Sequence, residues 1–333
     1  MTDYDELIKE LDPHDVRGNL LNLQSEIFKG IDAAKDVSII EEINKIIILG
    51  LGGSALPGYL LKQYLNDFHI PIYVIEDYDI PSFVDKESLV FVISYSGNTE
   101  ETLSMYRQAA KTGAKVITMS SGGKLKDLAE FNKGKHIPVI PGLAPRQGYG
   151  LMFFSLLTVL ENSKIIPEEK DNIKKLVNAL KTDFETMGKN LAMKISGKIP
   201  LIYASTRLSH VAWKWKINFN ETAKIPAFYD VFPGLNHNEI NMYQNSLDDY
   251  YVILLRDEKE HPRVSKHMDI SKKIIKDAGV EVTEIGIKGD CYLTRIFSTL
   301  VIGDWTAYYL AIMNETDPFE VKIIERLKED LKK

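Results

Sequence analysis

Two kinds of apolar segment alternate along the chain: short β-branched runs of strand length, and longer stretches with apolar residues at helical spacing. In the first half, the run from Lys45 to Leu49 ends in Gly50-Leu51-Gly52-Gly53-Ser54 and leads into a helix reaching about residue 65. Further strands are predicted over 72–75, 89–94, 116–119 and 137–140, and helices over 99–111 and 148–162. The last of these is apolar on nearly every side, which predicts a buried helix. Residues 167–189 carry Ile173, Leu176, Val177, Leu180 and Phe184 on one helical face and read as a connecting helix. After Gly197 the alternation resumes, with strands at 201–204, 251–255 and 282–287 and helices at 208–219, 264–278 and 292–313. Strands alternating with amphipathic helices define the α/β class, a mostly parallel sheet covered by helices on both faces. The expected organisation is a first domain over 1–165 with a leading helix, a connecting helix over 166–196, a second domain over 197–317 and a charged amphipathic helix over 318–333.

A length of 333 residues accommodates two such cores. The composition is 44% hydrophobic and 26% charged, as in a folded globular protein. With 41 basic and 47 acidic side chains the formal charge is −6 and no run of Lys or Arg forms a stripe, so nucleic acid is not an expected partner. The single cysteine, Cys291, excludes an internal disulfide framework and a Cys-rich zinc centre, and fits a reducing cytoplasm. The acidic first residues carry no export pattern, and apolar runs such as 151–160 are about half of a bilayer span. A soluble cytoplasmic protein is expected.

The candidate chemistry sits at strand ends. Ser94-Tyr95-Ser96-Gly97-Asn98-Thr99-Glu100-Glu101 puts hydroxyls and a glycine between a buried strand and a helix, where open α/β sheets take ligands. Backbone N–H groups and the positive helix end favour an anion there, with Ser94, Ser96 and Thr99 as added donors. An ordinary capped helix start fits the same residues. Gly52-Gly53-Ser54 could let backbone approach a ligand, but it matches neither a dinucleotide fingerprint nor a P-loop. Arg146 is the only cation of the stiff loop 141–148, suited either to an oxyanion or to a surface role. Glu221 follows Trp213 and Trp215 and could serve as a base; His237 lies between Asn236 and Asn238, amides able to fix its tautomer. His261 and His267 read as solvated and Cys291 as core or cap; no paired-histidine spacing builds a metal centre.

In order and spacing, Gly52-Gly53-Ser54, Ser94 to Glu101, Arg146, Asn220-Glu221, Leu235-Asn236-His237-Asn238-Glu239 and Leu327-Lys328 resemble the sugar isomerase (SIS) domain family. More narrowly they resemble its bifunctional phosphoglucose/phosphomannose isomerases, over nearly the whole chain. The resemblance implies two SIS-type α/β/α domains and aldose–ketose isomerisation of hexose 6-phosphates without metal or cofactor. Glu221 would move a proton between C1 and C2, His237 would assist ring opening, Arg146 would stabilise the enediolate and Lys328 would contact sugar oxygens. Gly53, Ser54, Ser94, Ser96 and Thr99 would hold the phosphate. A homodimer with shared active sites is also implied, because the family's histidine comes from the neighbouring subunit. One departure stands out: the family commonly has Pro-Glu before Leu-Asn-His-Asn-Glu, and this chain has Pro233-Gly234. A non-catalytic sugar-phosphate sensor would use the same cradle but has no need of Glu221, His237 and Arg146 together. An aminosugar synthase would need an N-terminal cysteine, where this sequence has Thr2.

Overall fold

The computed structural model describes residues 4–245 and 247–331. Two compact units divide the chain: Leu21–Asp171 forms one, and the residues up to Leu20 join those from Asn172 onward in the other. The Leu21–Asp171 unit holds strands β1 (Lys45–Leu49), β2 (Ile72–Ile75), β3 (Ser88–Ile93), β4 (Lys115–Ser120) and β5 (Lys135–Pro138) in the order β2-β1-β3-β4-β5. The other unit holds β6 (Ile199–Ser205), β7 (Phe228–Phe232), β8 (Tyr250–Asp257) and β9 (Glu281–Ile287) in the order β7-β6-β8-β9. Every strand pair in both sheets is parallel. The expected α/β class is therefore observed, with each sheet wholly parallel.

Parallel pairing explains the continuous apolar runs. All six residues of β3 are buried because helices cover both faces; five are apolar, and the sixth, Ser88 at the strand's start, satisfies its hydroxyl on Asp85 at 3.1 Å. Each fully buried Val or Ile contributes on the order of 1.5–3 kcal/mol. The helix Tyr149–Asn162 is buried from Tyr149 through Leu160, as its apolar surround predicts. It crosses helix Leu23–Ala34 closely enough that a Cβ on Gly30 would lie 2.2 Å from the Leu151 carbonyl oxygen.

In the other unit, the 22-residue helix Tyr292–Met313 is the central element. Long and apolar enough by composition to cross a bilayer, it has 94% of its apolar window buried within the protein and serves as a core helix. Counting uninterrupted apolar runs overlooks it, because Thr, Ser and Asp residues punctuate its sequence. Trp215 donates to the Thr299 carbonyl at 3.0 Å and packs where Gly303 leaves room, tying helix Ser209–Glu221 to this core. Helix Phe184–Ile195 approaches on another side through Gly188, which faces Trp305.

Several elements differ from expectation. The segment read as one connecting helix is two, Lys170–Ala179 and Phe184–Ile195, the second capped by Asp183 accepting from Thr186 N at 3.0 Å. The leading helix Tyr4–Leu11 and the turn after it belong with the unit that contains the second sheet. Side chains draw them there: Tyr308 donates to Asp12 at 3.0 Å, while Arg17 at 2.7 Å and Tyr309 at 2.6 Å both reach Glu185. Strand β7 and the helices Leu23–Ala34 and Gly123–Phe131 were not foreseen, and the tail is helical over Lys322–Asp330.

Gly188→Ala should destabilise the fold by about 1–3 kcal/mol, because the new Cβ would lie 2.3 Å from Trp305 Cβ and 2.8 Å from Thr306 N. Gly286→Ala, with nothing within 4 Å, should change stability little. Thermal melting of the two variants checks the contrast.

Candidate active site

Strand order places the reversal point of the first sheet between β1 and β3, the position where open parallel sheets bind ligands beyond their carboxyl ends. The turn Gly52–Ser54 follows β1, and Ser94 to Thr99 follows β3. One hydrogen bond ties them, Tyr95 N donating to Ser54 Oγ at 3.0 Å. Gly97 bends the second turn with φ +70°. A Cβ there would lie 1.8 Å from the Gly122 carbonyl oxygen, so this approach of the turns after β3 and β4 requires glycine. Gly97 N bonds to Ser94 O at 2.9 Å and Leu125 N to Gly97 O at 2.9 Å, which fixes the turn from both sides.

The hydroxyls divide their labour. Ser94 is fully buried, and its Oγ donates to Thr99 Oγ1 at 3.0 Å. Thr99 is the N-cap of helix Glu100–Ala109 but makes no side-chain bond to the helix, so the first-turn amides remain open at its positive end. Ser96 is exposed, and its Oγ accepts from Asn98 N at 3.3 Å. Glu76 braces the neighbouring turn by accepting from Gly52 N at 2.8 Å and from Tyr59 OH at 2.9 Å.

Arg146 is not a surface residue: it is 2% exposed. Its backbone presses on the glycine turn, since a Cβ on Gly53 would lie 2.7 Å from Arg146 N. Tyr95 links this loop to the cradle, donating through its hydroxyl to Ile140 O at 2.7 Å and accepting from Leu143 N at 2.8 Å. Burial pushes the Tyr95 phenol up from its ordinary range. The unit thus brings Gly53, Ser54, Ser94, Ser96, Thr99 and Arg146 together. Tyr95, Glu76 and Gly122 were missed; the Gly122-Gly123 pair directly after a strand was the available signal for the last.

In the other unit Glu221 is half-buried at the end of helix Ser209–Glu221. About two turns earlier, Lys214 forms a buried ion pair with Asp304 at 2.9 Å, bridged by Asn218, whose amide donates to Asp304 and whose oxygen accepts from Lys214. Asn220 closes the following turn on Ile225 O at 2.9 Å. His237 is exposed at the end of the short turn Gly234–His237. Its flanking amides do not fix its tautomer as expected. Asn236 bonds His267 at 2.9 Å and Ser271 at 2.6 Å, and Asn238 accepts from Glu239 N. They pin the loop instead, together with Glu239, which accepts from Tyr203 OH at 2.6 Å. Burial, with the Asp230 carboxylate adding to it, pushes Glu239 up from the usual carboxylate range. A Cβ on Gly234 would meet nothing within 4 Å, so the Pro-Gly departure imposes no glycine-specific geometry. Lys328 lies on the exposed helix Lys322–Asp330.

Family models match both halves, an SIS domain over residues 39–160 and a bacterial phospho-glucose isomerase C-terminal SIS domain over 184–331. A bifunctional phosphoglucose/phosphomannose isomerase of Caldicellulosiruptor bescii is 37% identical over 331 residues, 94% of this chain and 98% of that protein. The chain belongs to this SIS family. A second relative of the same name, from Aquifex aeolicus, is 38% identical over 312 residues, 92% of this chain and 95% of its own length. In fold the chain is similar to a hypothetical protein from Thermus thermophilus, with TM-score 0.79 at 14% identity, covering 99% of this chain and 92% of the other.

Tyr95→Phe should leave inorganic phosphate affinity within about twofold while lowering kcat about tenfold, because two backbone groups of the Arg146 loop lose their anchor. Steady-state kinetics with phosphate as inhibitor separate the two effects. An unchanged kcat would mean that the loop is held by other contacts.

Proposed function

We propose that this chain is a cytoplasmic, metal-independent isomerase that interconverts glucose 6-phosphate and fructose 6-phosphate, and mannose 6-phosphate and fructose 6-phosphate. The carrying observation is the rigid turn Ser94–Thr99 at the reversal point of the first sheet, with buried Arg146 packed against the same glycine turn. Close likeness to bifunctional isomerases across nearly the full chain supports the reading.

In this reading the phosphate is held by first-turn amides with Ser54, Ser96 and Thr99, while Ser94 shapes the turn through Thr99. His237 moves the proton that opens the ring, and Lys328 contacts the sugar oxygens. Glu221 then removes the C2 proton of the open aldose and returns it to C1, giving the ketose. A proton alpha to a carbonyl is far less acidic than a carboxylic acid, and each pK unit of mismatch costs about 1.4 kcal/mol. Arg146 offsets part of that gap as a fixed cation where the enediolate oxygens develop. Phosphate binding adds positioning from a group that does not react. Glucose and mannose 6-phosphates differ only at C2, so both lead to one enediolate.

The topology of the second sheet bears on oligomeric state. Helix Ser209–Glu221 runs back from the carboxyl end of β6, so Glu221 lies toward the amino edge, just before β7 begins. His237 follows the carboxyl end of β7. The five residues of that strand alone span about 13–17 Å. One chain's Glu221 and His237 are therefore too far apart for the reacting end of one sugar, which supports a homodimer whose sites take His237 from the neighbouring copy.

A coupled assay with glucose 6-phosphate and mannose 6-phosphate in excess EDTA should register turnover of both, and Glu221→Gln should lower kcat at least about a thousandfold with phosphosugar binding kept. Activity that vanishes with EDTA and returns with zinc contradicts the mechanism, as does substantial turnover by the Gln variant.

A further inference from the structure

The second sheet repeats the plan of the first: β7-β6-β8-β9 corresponds to β2-β1-β3-β4, with the order reversing between β6 and β8 as it does between β1 and β3. The carboxyl ends of β6 and β8 thus frame the crevice where such a sheet takes its ligand. In the first sheet that crevice is the cradle. In the second it is filled by the chain's own charged side chains. Strand β8 ends at Asp257, which is 2% exposed. Its Oδ1 accepts from Lys259 N at 2.9 Å and lies 2.8 Å from Arg295 Nε. A turn amide and a guanidinium are the donors a phosphate oxygen receives in crevices of this kind.

The donor and acceptor capacity exceeds what the protein uses. Asp257 Oδ2 and Arg207 Nε are buried without a hydrogen-bond partner, and Arg295 Nε, close as it lies to Asp257 Oδ1, makes no well-directed hydrogen bond. Both guanidiniums face the Tyr292 ring, at 4.8 Å for Arg207 and 5.5 Å for Arg295. Ser205, at the end of β6, spends its hydroxyl on Glu260 at 2.6 Å. Burying a carboxylate with a guanidinium is no cheaper than packing an apolar pair, so strand-end packing alone does not call for these residues. An anion site filled from within does.

We propose that the β6/β8 crevice is an oxyanion site of the phosphate-ester class, occupied by the carboxylate of Asp257, so that each chain takes phosphosugar in its first domain alone. It lies at the opposite sheet edge from Glu221 and is independent of the isomerase reading.

Isothermal titration of the full chain with inorganic phosphate tests this. Wild type should bind about one phosphate per chain, Asp257→Ala about two, and the Asp257→Ala/Arg295→Met double variant about one again. A folded Asp257→Ala protein that binds no more phosphate than wild type overturns the proposal. Should that variant fail to fold in phosphate-free buffer, it is refolded in phosphate and in chloride at equal ionic strength. Recovery in phosphate alone that the Asp257→Ala/Arg295→Met variant does not share supports the assignment; recovery shared by that double variant, or failure in both salts, overturns it. Loss of isomerase activity affects none of these outcomes.

Discussion

A wholly parallel sheet sorts everything attached to it by edge. Each strand delivers its following turn to the carboxyl edge, and each crossover helix ends at the amino edge. In this protein that rule assigns Ser54 and the Ser94–Thr99 turn to one edge of the first sheet, where neighbouring strands β1 and β3 present them side by side. It also separates Glu221, at a helix end, from His237, beyond a strand end. The pattern of chemistry follows from strand direction before any side chain is considered.

At the carboxyl edge the backbone must turn sharply while keeping its amides available. Gly97 meets the Gly122 carbonyl there because it carries no Cβ, and Ser94, Tyr95 and Ser121 close further hydrogen bonds. The turn is rigid without a ligand, so little ordering entropy opposes anion binding. Tyr95 ties that turn to the loop of Arg146, coupling the groups proposed to grip the phosphate to the cation proposed for the enediolate. The second sheet shows the alternative outcome of the same plan, a strand end where a carboxylate fills the crevice and no turn glycine is needed.

The strands were legible because burial on both faces leaves only apolar residues, as in Ile46-Ile47-Ile48. The Ser94–Thr99 turn was legible as a candidate anion site because hydroxyls and a glycine run together between a strand and a helix, although a capped helix start fitted the same residues. What escaped is instructive. Strand β7, Phe-Tyr-Asp-Val-Phe, lies at a sheet edge with Phe228 and Tyr229 exposed, so it lacks the buried apolar run of its neighbours. Helix Gly123–Phe131 buries only Leu125 and Ala129, too few to set a period. Arg146 looked as suited to the surface as to the interior, because a single sequence gives no measure of burial for an isolated cation. The amides beside His237 suggested tautomer control, yet long-range partners on another helix claimed Asn236.

The central claim is that one reaction uses Glu221 and His237 from opposite edges of the sheet, and hence from two chains. Subunit complementation addresses it directly. Glu221→Gln and His237→Ala proteins, each inactive alone, are unfolded together, refolded as a mixture and assayed with glucose 6-phosphate. Random pairing puts both defects in one site of each heterodimer and leaves the other intact, so about a quarter of wild-type activity should return. If the mixture stays as inactive as its components although heterodimers form, both residues act within one chain and the account is contradicted.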